Sequence, residues 1–507
     1  MHRRGARIAI EAALVLTLLG AFQSASVALA KPSATVADAP LVAIVSDSQT
    51  GQVMPPGFVG TSFEYRALQL YTGRDPRAVD PVLVQLLRQL APGQAPVLRI
   101  GGDSTDATWW PMRGVIPPGG VTYSLTQGWL RTTQALATDL GAHLILGVNL
   151  AAGRPALAAA EARALLEGLG RQYISALEIG NEPDLYGVFA WYRDRRGQVF
   201  HARNRRYDLS AYVTDFSHFA QALPWVPLAG PALSGPSWMG GLGRFISSEK
   251  EIKIVTYHRY PLRACITDPT SPGYASIANL LSDSSSAGLA APVAPYAALA
   301  HTDGLQFRIG ELNSASCQGA AGTSDTFASA LWVLDTLFNM ASAGVDGVNI
   351  HTLPGAPYQP FEFSQSTTGT WQATVQPEYY GLLMFARAFP PGARLLAVNA
   401  PSGPVKVWAT QAPDGTIRVV LINKDTIAAH SVALELPGGL SGASLESLQA
   451  PSVASTTGVT LGGQSFASPT TTGTFPGPES ISSVYPTLGS YSIDLPPASA
   501  AILTRGP

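Results

Sequence analysis

Cysteine, charge and histidine are all scarce in this chain of 507 residues. Charged side chains make up 13% of it and the formal net charge is −2, so no basic field is available to hold nucleic acid or an anionic membrane surface. The eight histidines are scattered and none stands in a His-Glu-x-x-His motif. Neither cysteine has His or Asp neighbours at metal-ligand spacing, and no metal site is expected. Gly241-Leu242-Gly243 lacks the third glycine of a dinucleotide fingerprint. Gly463-Gln464-Ser465-Phe466-Ala467 lacks the last glycine of a hydrolase elbow. No cofactor is implied.

Long apolar runs are also missing after the amino terminus, where nothing approaches the ~18 unbroken residues of a membrane helix. The one such run, Ala12 to Phe22, is too short to span. It follows Arg3, Arg4 and Arg7 and precedes Ala28-Leu29-Ala30, the pattern of an export signal cleaved after Ala30. Residues 1–30 are therefore set aside, and a secreted or periplasmic protein without a membrane span is expected. The oligomeric state is not legible.

What is present is 46% hydrophobic residues, enough for more than one core, with 50 Gly and 40 Pro to build long ordered loops. Eight short apolar runs recur between residues 55 and 390: Phe58–Phe63, Val97–Ile100, His143–Leu150, Ala176–Ile179, Val226–Ala229, Ile254–Tyr257, Gln306–Ile309 and Gly347–His351. Their continuous apolar character marks strands buried on both faces. Amphipathic segments separate them: Pro81–Leu90, Thr126–Leu140, Ala158–Arg171, Ser210–Leu223, Thr326–Ala343 and Glu378–Phe389. Eight strand–helix units predict an α/β fold, a (β/α)8 TIM barrel over 55–390.

After Gly392 the texture changes. Val405–Thr410, Thr416–Ile422, Ser431–Leu436, Ser490–Leu495 and Ala500–Leu503 are short β-rich runs between Gly, Pro, Ser and Thr turns, predicting a C-terminal antiparallel β-sandwich over 391–507. Within the segment 31–54, Val42–Ser46 can add a strand to it. The Ser/Thr/Gly-rich stretch 455–477 is read as a long loop of the sandwich.

Two carboxylates dominate the chemistry. Leu177-Glu178-Ile179-Gly180-Asn181-Glu182-Pro183 ends the fourth predicted strand, and Phe307-Arg308-Ile309-Gly310-Glu311 ends the seventh. In a closed parallel barrel both ends open into one mouth. Two glutamates delivered there suit glycosidic cleavage, one as acid/base and one as nucleophile. Asn181 is placed to hydrogen-bond a sugar 2-hydroxyl. Pro183 fixes the turn that presents Glu182. The plainer readings are a helix cap for Asn181-Glu182 and a structural salt bridge from Glu311 to Arg308 or Arg99. Cys265 and Cys317 follow strands expected to be neighbours, so in an exported protein they are expected to pair across the rim; otherwise they are inert small side chains.

Ile179-Gly180-Asn181-Glu182-Pro183-Asp184, Arg99-Ile100-Gly101-Gly102-Asp103-Ser104-Thr105-Asp106 and Glu311 together resemble glycoside hydrolase family 79, which contains β-glucuronidases and heparanase. Leu461-Gly462-Gly463-Gln464-Ser465-Phe466 and Pro497-Ala498-Ser499-Ala500-Ala501 resemble that family's β-domain. The resemblance implies retaining, exo-acting hydrolysis of β-linked glucuronides, with Glu182 as acid/base and Glu311 as nucleophile. It also implies that Asp103, where relatives commonly show Asn, and Glu64 bind sugar hydroxyls, unless Glu64 pairs with Arg99 or Arg66. Tyr257 or Tyr260, with Tyr257 favoured, would touch the nucleophile or sugar. Tyr358 would hold the uronate carboxylate, because Pro357 has no amide hydrogen to offer. Basic residues between Arg193 and Arg206 could draw an acidic substrate or form a solvated insertion. Trp109-Trp110 could stack on a sugar or pack in the core. The expected ligand is a glucuronic-acid-containing saccharide. The alternatives are an α-L-arabinofuranosidase or β-xylosidase of the same clan, an endo-acting heparanase-like enzyme, or an inactive carbohydrate-binding protein.

Overall fold

The computed structural model describes residues 39–439 and 441–507. The segment read as an export signal lies outside the described residues. Eight parallel strands close into a barrel in chain order: Val59–Glu64, Val97–Gly101, His143–Val148, Ile174–Ile179, Leu228–Leu233, Ile252–Arg259, Gln306–Leu312 and Gly347–Thr352. The last pairs with the first, Ile350 opposite Thr61, and helices pack outside. Thr126 caps the helix Gln127–Leu140 through its hydroxyl, and Asp80 caps Pro81–Leu90, which starts on the proline that suits a first turn.

The fifth strand departs most from its expected limits, running to Leu233 rather than stopping at Ala229. Pro231 hides this in the sequence because proline normally ends a ladder. Here it sits beside an irregularity, pairing with Thr256 before Leu233 pairs with Tyr257.

Strand alternation fills the barrel in layers. Ile145, Ala176, Ala229 and Ile254 form its small apolar floor, with Val97 of the second strand packed against it. Two residues further along their strands, Arg99 and Glu178 face the same interior, fully buried, with Arg99 Nε 2.7 Å from Glu178. Outward residues such as Phe63, Ile100, Leu177 and Ile309 join the large core under the helices.

The carboxy-terminal part is one long, mostly antiparallel sheet folded around a second core of Val419, Leu421, Val432, Leu434, Ile493 and Leu503. Leu41–Thr50 belongs to it, pairing with Arg394–Asn399 and with His430–Glu435. Ile417–Asn423 faces both ways: Val419 and Leu421 enter the sheet core, while Val420 and Ile422 join the barrel's core. The stretch 455–477 straps the barrel rather than looping free of it. Ser455 O accepts from Phe327 N at 2.8 Å, Thr470 pairs with Ala373, and Phe466 packs on Tyr379 and Tyr380.

Lys424 on the sheet reaches into the barrel's helical layer, where Ser286 Oγ accepts at 2.9 Å beside the carboxylate of Asp335. Trp408 Nε1 donates to the same carboxylate at 2.9 Å. Both charges are almost completely buried. Asp335→Ala would strand the ammonium, and is expected to cost about 3–5 kcal/mol in urea unfolding. A cost below about 1 kcal/mol would mean that water reaches the site.

Candidate active site

Glu182 is fixed by backbone before any substrate is considered. Its φ is +49° and its amide donates to Ala232 O at the end of the fifth strand (3.0 Å). Gly180 just before it has φ +81°, and a Cβ there would stand 2.6 Å from the Tyr186 hydroxyl, so only glycine fits. The buried carboxylate of Asp106 holds the turn from below. Its Oδ2 accepts from Asn181 N (3.2 Å) and the Tyr186 hydroxyl (2.6 Å), and its Oδ1 from Leu150 N and Ala151 N (both 3.0 Å). Asp184 ties the far side, accepting from Ser234 N, Ser234 Oγ and Gly235 N.

Glu311 reaches the interior through a bulge. Phe307 and Ile309 face outward, so strict alternation would turn residue 311 outward as well. Instead Tyr257 pairs with Ile309 while His258 pairs with Glu311, leaving Gly310 as the extra residue. Gly310 points between Thr256, Glu178 and His258, and the next side chain, Glu311, also turns inward.

The structure brings the two carboxylates together. Glu182, His258 and Glu311 present atoms all within 4.8 Å of one another. His258 Nδ1 lies 2.9 Å from Glu182 Oε1 and 3.9 Å from Glu311 Oε2. Glu311 Oε2 accepts from Arg99 Nη1 at 2.9 Å, and Glu311 Oε1 accepts from the Tyr260 hydroxyl at 2.6 Å. His351 Nδ1 approaches Glu311 to 3.7 Å. This trio is also where a cation could be ligated, but it would compete with the guanidinium already paired to Glu311.

Electrostatics separate the two acids. Burial pushes the Glu182 carboxyl up; the His258 bond and charge pull against it, and Glu311 and Asp184 push with it. For Glu311 burial also pushes upward, but His351, His258, Arg99 and the Tyr260 bond overcome it and hold the carboxyl far below its usual range. One acid is thus set to keep a proton and the other to lose it.

Around them, Asn181 Oδ1 accepts from Arg99 Nη2 (2.8 Å) and its Nδ2 lies 3.5 Å from Asp103. Asp103 is open to water on the mouth side but enclosed elsewhere. Burial, then the charges of Glu64, Glu182 and Glu311, push it up to about 8 against the pull of Arg66. Glu64 makes no ion pair with Arg99 or Arg66 among the described residues; it accepts from Asp103 N (3.0 Å) and Ser104 N (2.7 Å), shaping the turn after the second strand. Tyr358 is buried with its ring edge-on to His351, and its hydroxyl has no protein partner among the described residues. The two tyrosines after the sixth strand divide unlike the expectation. Tyr260 reaches Glu311, whereas Tyr257 points out of the barrel, its hydroxyl accepting from Arg259 at 3.1 Å and its ring against Tyr296. The register that turns His258 inward necessarily turns Tyr257 outward.

Arg99, His258, His351 and Asp106 were not singled out as site residues from the sequence. Inward alternation from the floor residues of strands two and six was the available signal for Arg99 and His258. Trp109 packs in a small core with Val121 and Leu157. Of the basic stretch, Arg203 is structural, paired with Asp215 at 2.8 Å and set against Tyr186 and Tyr207. Arg193, Arg195, Arg196, Arg205 and Arg206 are exposed without an ion-pair partner among the described residues. Cys265 and Cys317 are disulfide-bonded.

Residues 407–502 match the glycosyl hydrolase family 79 C-terminal beta domain. A β-glucuronidase of Neurospora crassa is 26% identical over 379 residues, covering 66% of this chain and 63% of that protein. One of Aspergillus niger is 31% identical over 129 residues, 24% of this chain and 23% of the relative. The chain thus spans less than two thirds of the length of the curated relatives it matches. Among solved structures, a 4-O-α-L-rhamnosyl-β-D-glucuronidase from Fusarium oxysporum superimposes with a TM-score of 0.71 at 21% identity, covering 92% of this chain and all of that one. A GH51 arabinofuranosidase from Xanthomonas axonopodis pv. citri shares the fold with a TM-score of 0.67 at 15% identity over 92% of this chain and 99% of that one. In its C-terminal β domain and in its β-glucuronidase relatives, the chain is similar to glycoside hydrolase family 79.

Proposed function

We propose that the protein is an exported, retaining, exo-acting β-glucuronidase. The observation that carries the mechanism is the approach of Glu182 and Glu311, with atoms within 4.8 Å. That suits the ~5–5.5 Å carboxyl separation of direct nucleophilic attack and leaves no room for the water of an inverting enzyme, which needs ~6.5–9.5 Å. Glu182 protonates the glycosidic oxygen while Glu311 attacks the anomeric carbon, and the aglycone leaves. The neutral ester at Glu311 no longer repels charge, so Glu182, having given up its proton, stays ionised and is available as the base. It takes a proton from water, which displaces Glu311 and releases glucuronic acid. Tyr260 and Arg99 hold Glu311 ionised and aimed. The free Tyr358 hydroxyl is the donor offered to the uronate carboxylate. The rim disulfide suits an oxidising compartment, in keeping with export.

The test is hydrolysis of nitrophenyl β-D-glucuronide against nitrophenyl β-D-xyloside and α-L-arabinofuranoside. Preference for the glucuronide supports the reading. Cleavage of a neutral pentoside alone would keep the mechanism and remove the carboxylate site. Single glucuronic acid residues released from a saccharide, rather than internal fragments, would support exo action.

The pH profile follows from the two carboxyls. Activity needs Glu311 ionised, and its depressed pKa carries the acid limb far down. Activity also needs Glu182 protonated, and its raised pKa places the alkaline limb above the ordinary carboxylate range. His258→Ala removes the bond and charge that pull Glu182 down, so the alkaline limb of kcat/KM is expected to move to higher pH. An unmoved limb would show that His258 does not tune Glu182.

A further inference from the structure

The end of the sixth strand delivers His258 to Glu182 and Tyr260 to Glu311, and Arg259 stands between them pointing the other way. Alternation puts Arg259 with Tyr257 on the outer face, half-buried under the helical layer. Its guanidinium lies 5.3 Å from the centre of the Tyr257 ring. Nη1 donates to the Tyr257 hydroxyl and Nη2 to Leu289 O, both at 3.1 Å. Nε is buried without a hydrogen-bond partner among the described residues.

Leu289 belongs to a segment that the C-terminal sheet grips from outside. The chain has five lysines, and the two in its C-terminal part, Lys406 and Lys424, both reach residues 283–286. Lys406 Nζ pairs with Asp283 at 2.7 Å, and Lys424 Nζ donates to Ser286 Oγ at 2.9 Å while Asp335 neutralises its charge. From the helix Phe327–Ser342, Trp332 Nε1 donates to Ser285 O at 2.8 Å. The short helix Ala287–Ala290 follows directly, Leu289 N donating to Ser286 O. The carbonyl that receives Arg259 is thus held on a fixed support. On the strand itself, His258 and Arg259 pair with Glu311 and Leu312, whereas Tyr260 lies one residue beyond the ladder. Its aim depends on where Arg259 leaves the chain.

We propose that Arg259 is a positioning residue for the nucleophile: anchored on Leu289 O, in a segment that the C-terminal sheet holds through Lys406 and Lys424, it fixes the end of the sixth strand so that the Tyr260 hydroxyl stays on Glu311. This rests on the reading of Glu311 as the nucleophile. Arg259 bonds to neither acid, so its loss loosens the Tyr260–Glu311 bond and lowers kcat while KM is kept. Glu311 is faced by Arg99, Glu182, His258, Tyr260, His351 and Tyr358, and Asp103 adds charge from the mouth. Of these, Tyr260 is the group carried by the chain just past Arg259. Its bond favours the ionised carboxyl, so loosening it moves the acid limb of kcat to higher pH.

The experiment follows kcat and KM for nitrophenyl β-D-glucuronide against pH in the parent, Arg259→Met, Tyr260→Phe and the double variant, each checked for folding by circular dichroism. Arg259→Met is expected to lower kcat roughly tenfold with KM within about twofold, and to raise the acid limb. The double variant should be no slower than Tyr260→Phe within about twofold, because both changes remove the same bond. Ser286→Ala/Lys406→Ala loosens the segment from the sheet without stranding a buried charge, and should move kcat and the limb the same way by less. It also carries the test if Arg259→Met does not fold. If the losses of Arg259→Met and Tyr260→Phe multiply, or the acid limb of Arg259→Met stays in place, Arg259 is merely structural and the positioning role is overturned. An unchanged Ser286→Ala/Lys406→Ala would remove the sheet from it. A Glu311→Gln control that keeps more than about a tenth of parent activity would sink the nucleophile reading itself, and this inference with it.

Discussion

Glu311→Gln is expected to lower kcat for nitrophenyl β-D-glucuronide by on the order of 10⁴-fold, with the fold retained. The amide keeps the shape of the carboxylate and can still accept from Tyr260, which now donates to Glu311 Oε1 at 2.6 Å. It cannot form the glycosyl ester, so the first displacement has no nucleophile. Glu182→Gln should behave differently. It leaves ester formation possible when the leaving group needs no proton, so a dinitrophenyl glucuronide should still give a burst followed by slow turnover. If Glu311→Gln kept more than about a tenth of parent activity, Glu311 would not be the nucleophile.

Arg99→Met should unfold the protein about 3–5 kcal/mol more easily in chemical denaturation. Arg99 is fully buried and touches four partners: Glu178, Ser62, Glu311 and Asn181. Glu178 Oε1 has no hydrogen-bond partner among the described residues, so without the guanidinium this buried carboxylate would lose its charge neutralisation. Glu311 would lose one of the groups that depress its pKa. The acid limb of any surviving activity should therefore rise toward the usual carboxylate range. A stability loss under about 1 kcal/mol would show that water or rearrangement replaces the guanidinium, and that the layer beneath the site is not closed.

How far the sequence carries is clearest from Glu182 and Glu311 themselves. Apolar runs alternating with amphipathic segments contain enough information to count the barrel strands, because burial on both faces and helical periodicity are local patterns. The strand-end positions of the two glutamates are local too. The amphipathic segments expected at Thr126–Leu140 and Pro81–Leu90 likewise form the helices Gln127–Leu140 and Pro81–Leu90.

Other features depend on contacts between residues far apart in the chain. The strap at 455–477 reads as a sandwich loop because its Ser, Thr and Gly residues carry no periodicity; its partners Ala373 and Tyr380 are some hundred residues earlier. Tyr257 and Tyr260 look equivalent until pairing between the sixth and seventh strands selects one. Composition, periodicity and the two strand-end carboxylates thus determined the barrel, the C-terminal sheet and the class of chemistry. Tertiary structure alone decided that the bulge at Gly310 turns Glu311 inward, that His258 bridges toward both acids, and that Arg99 lies beneath them. Register between strands is a nonlocal quantity, and a slip of one residue exchanges the inside of a barrel for its outside.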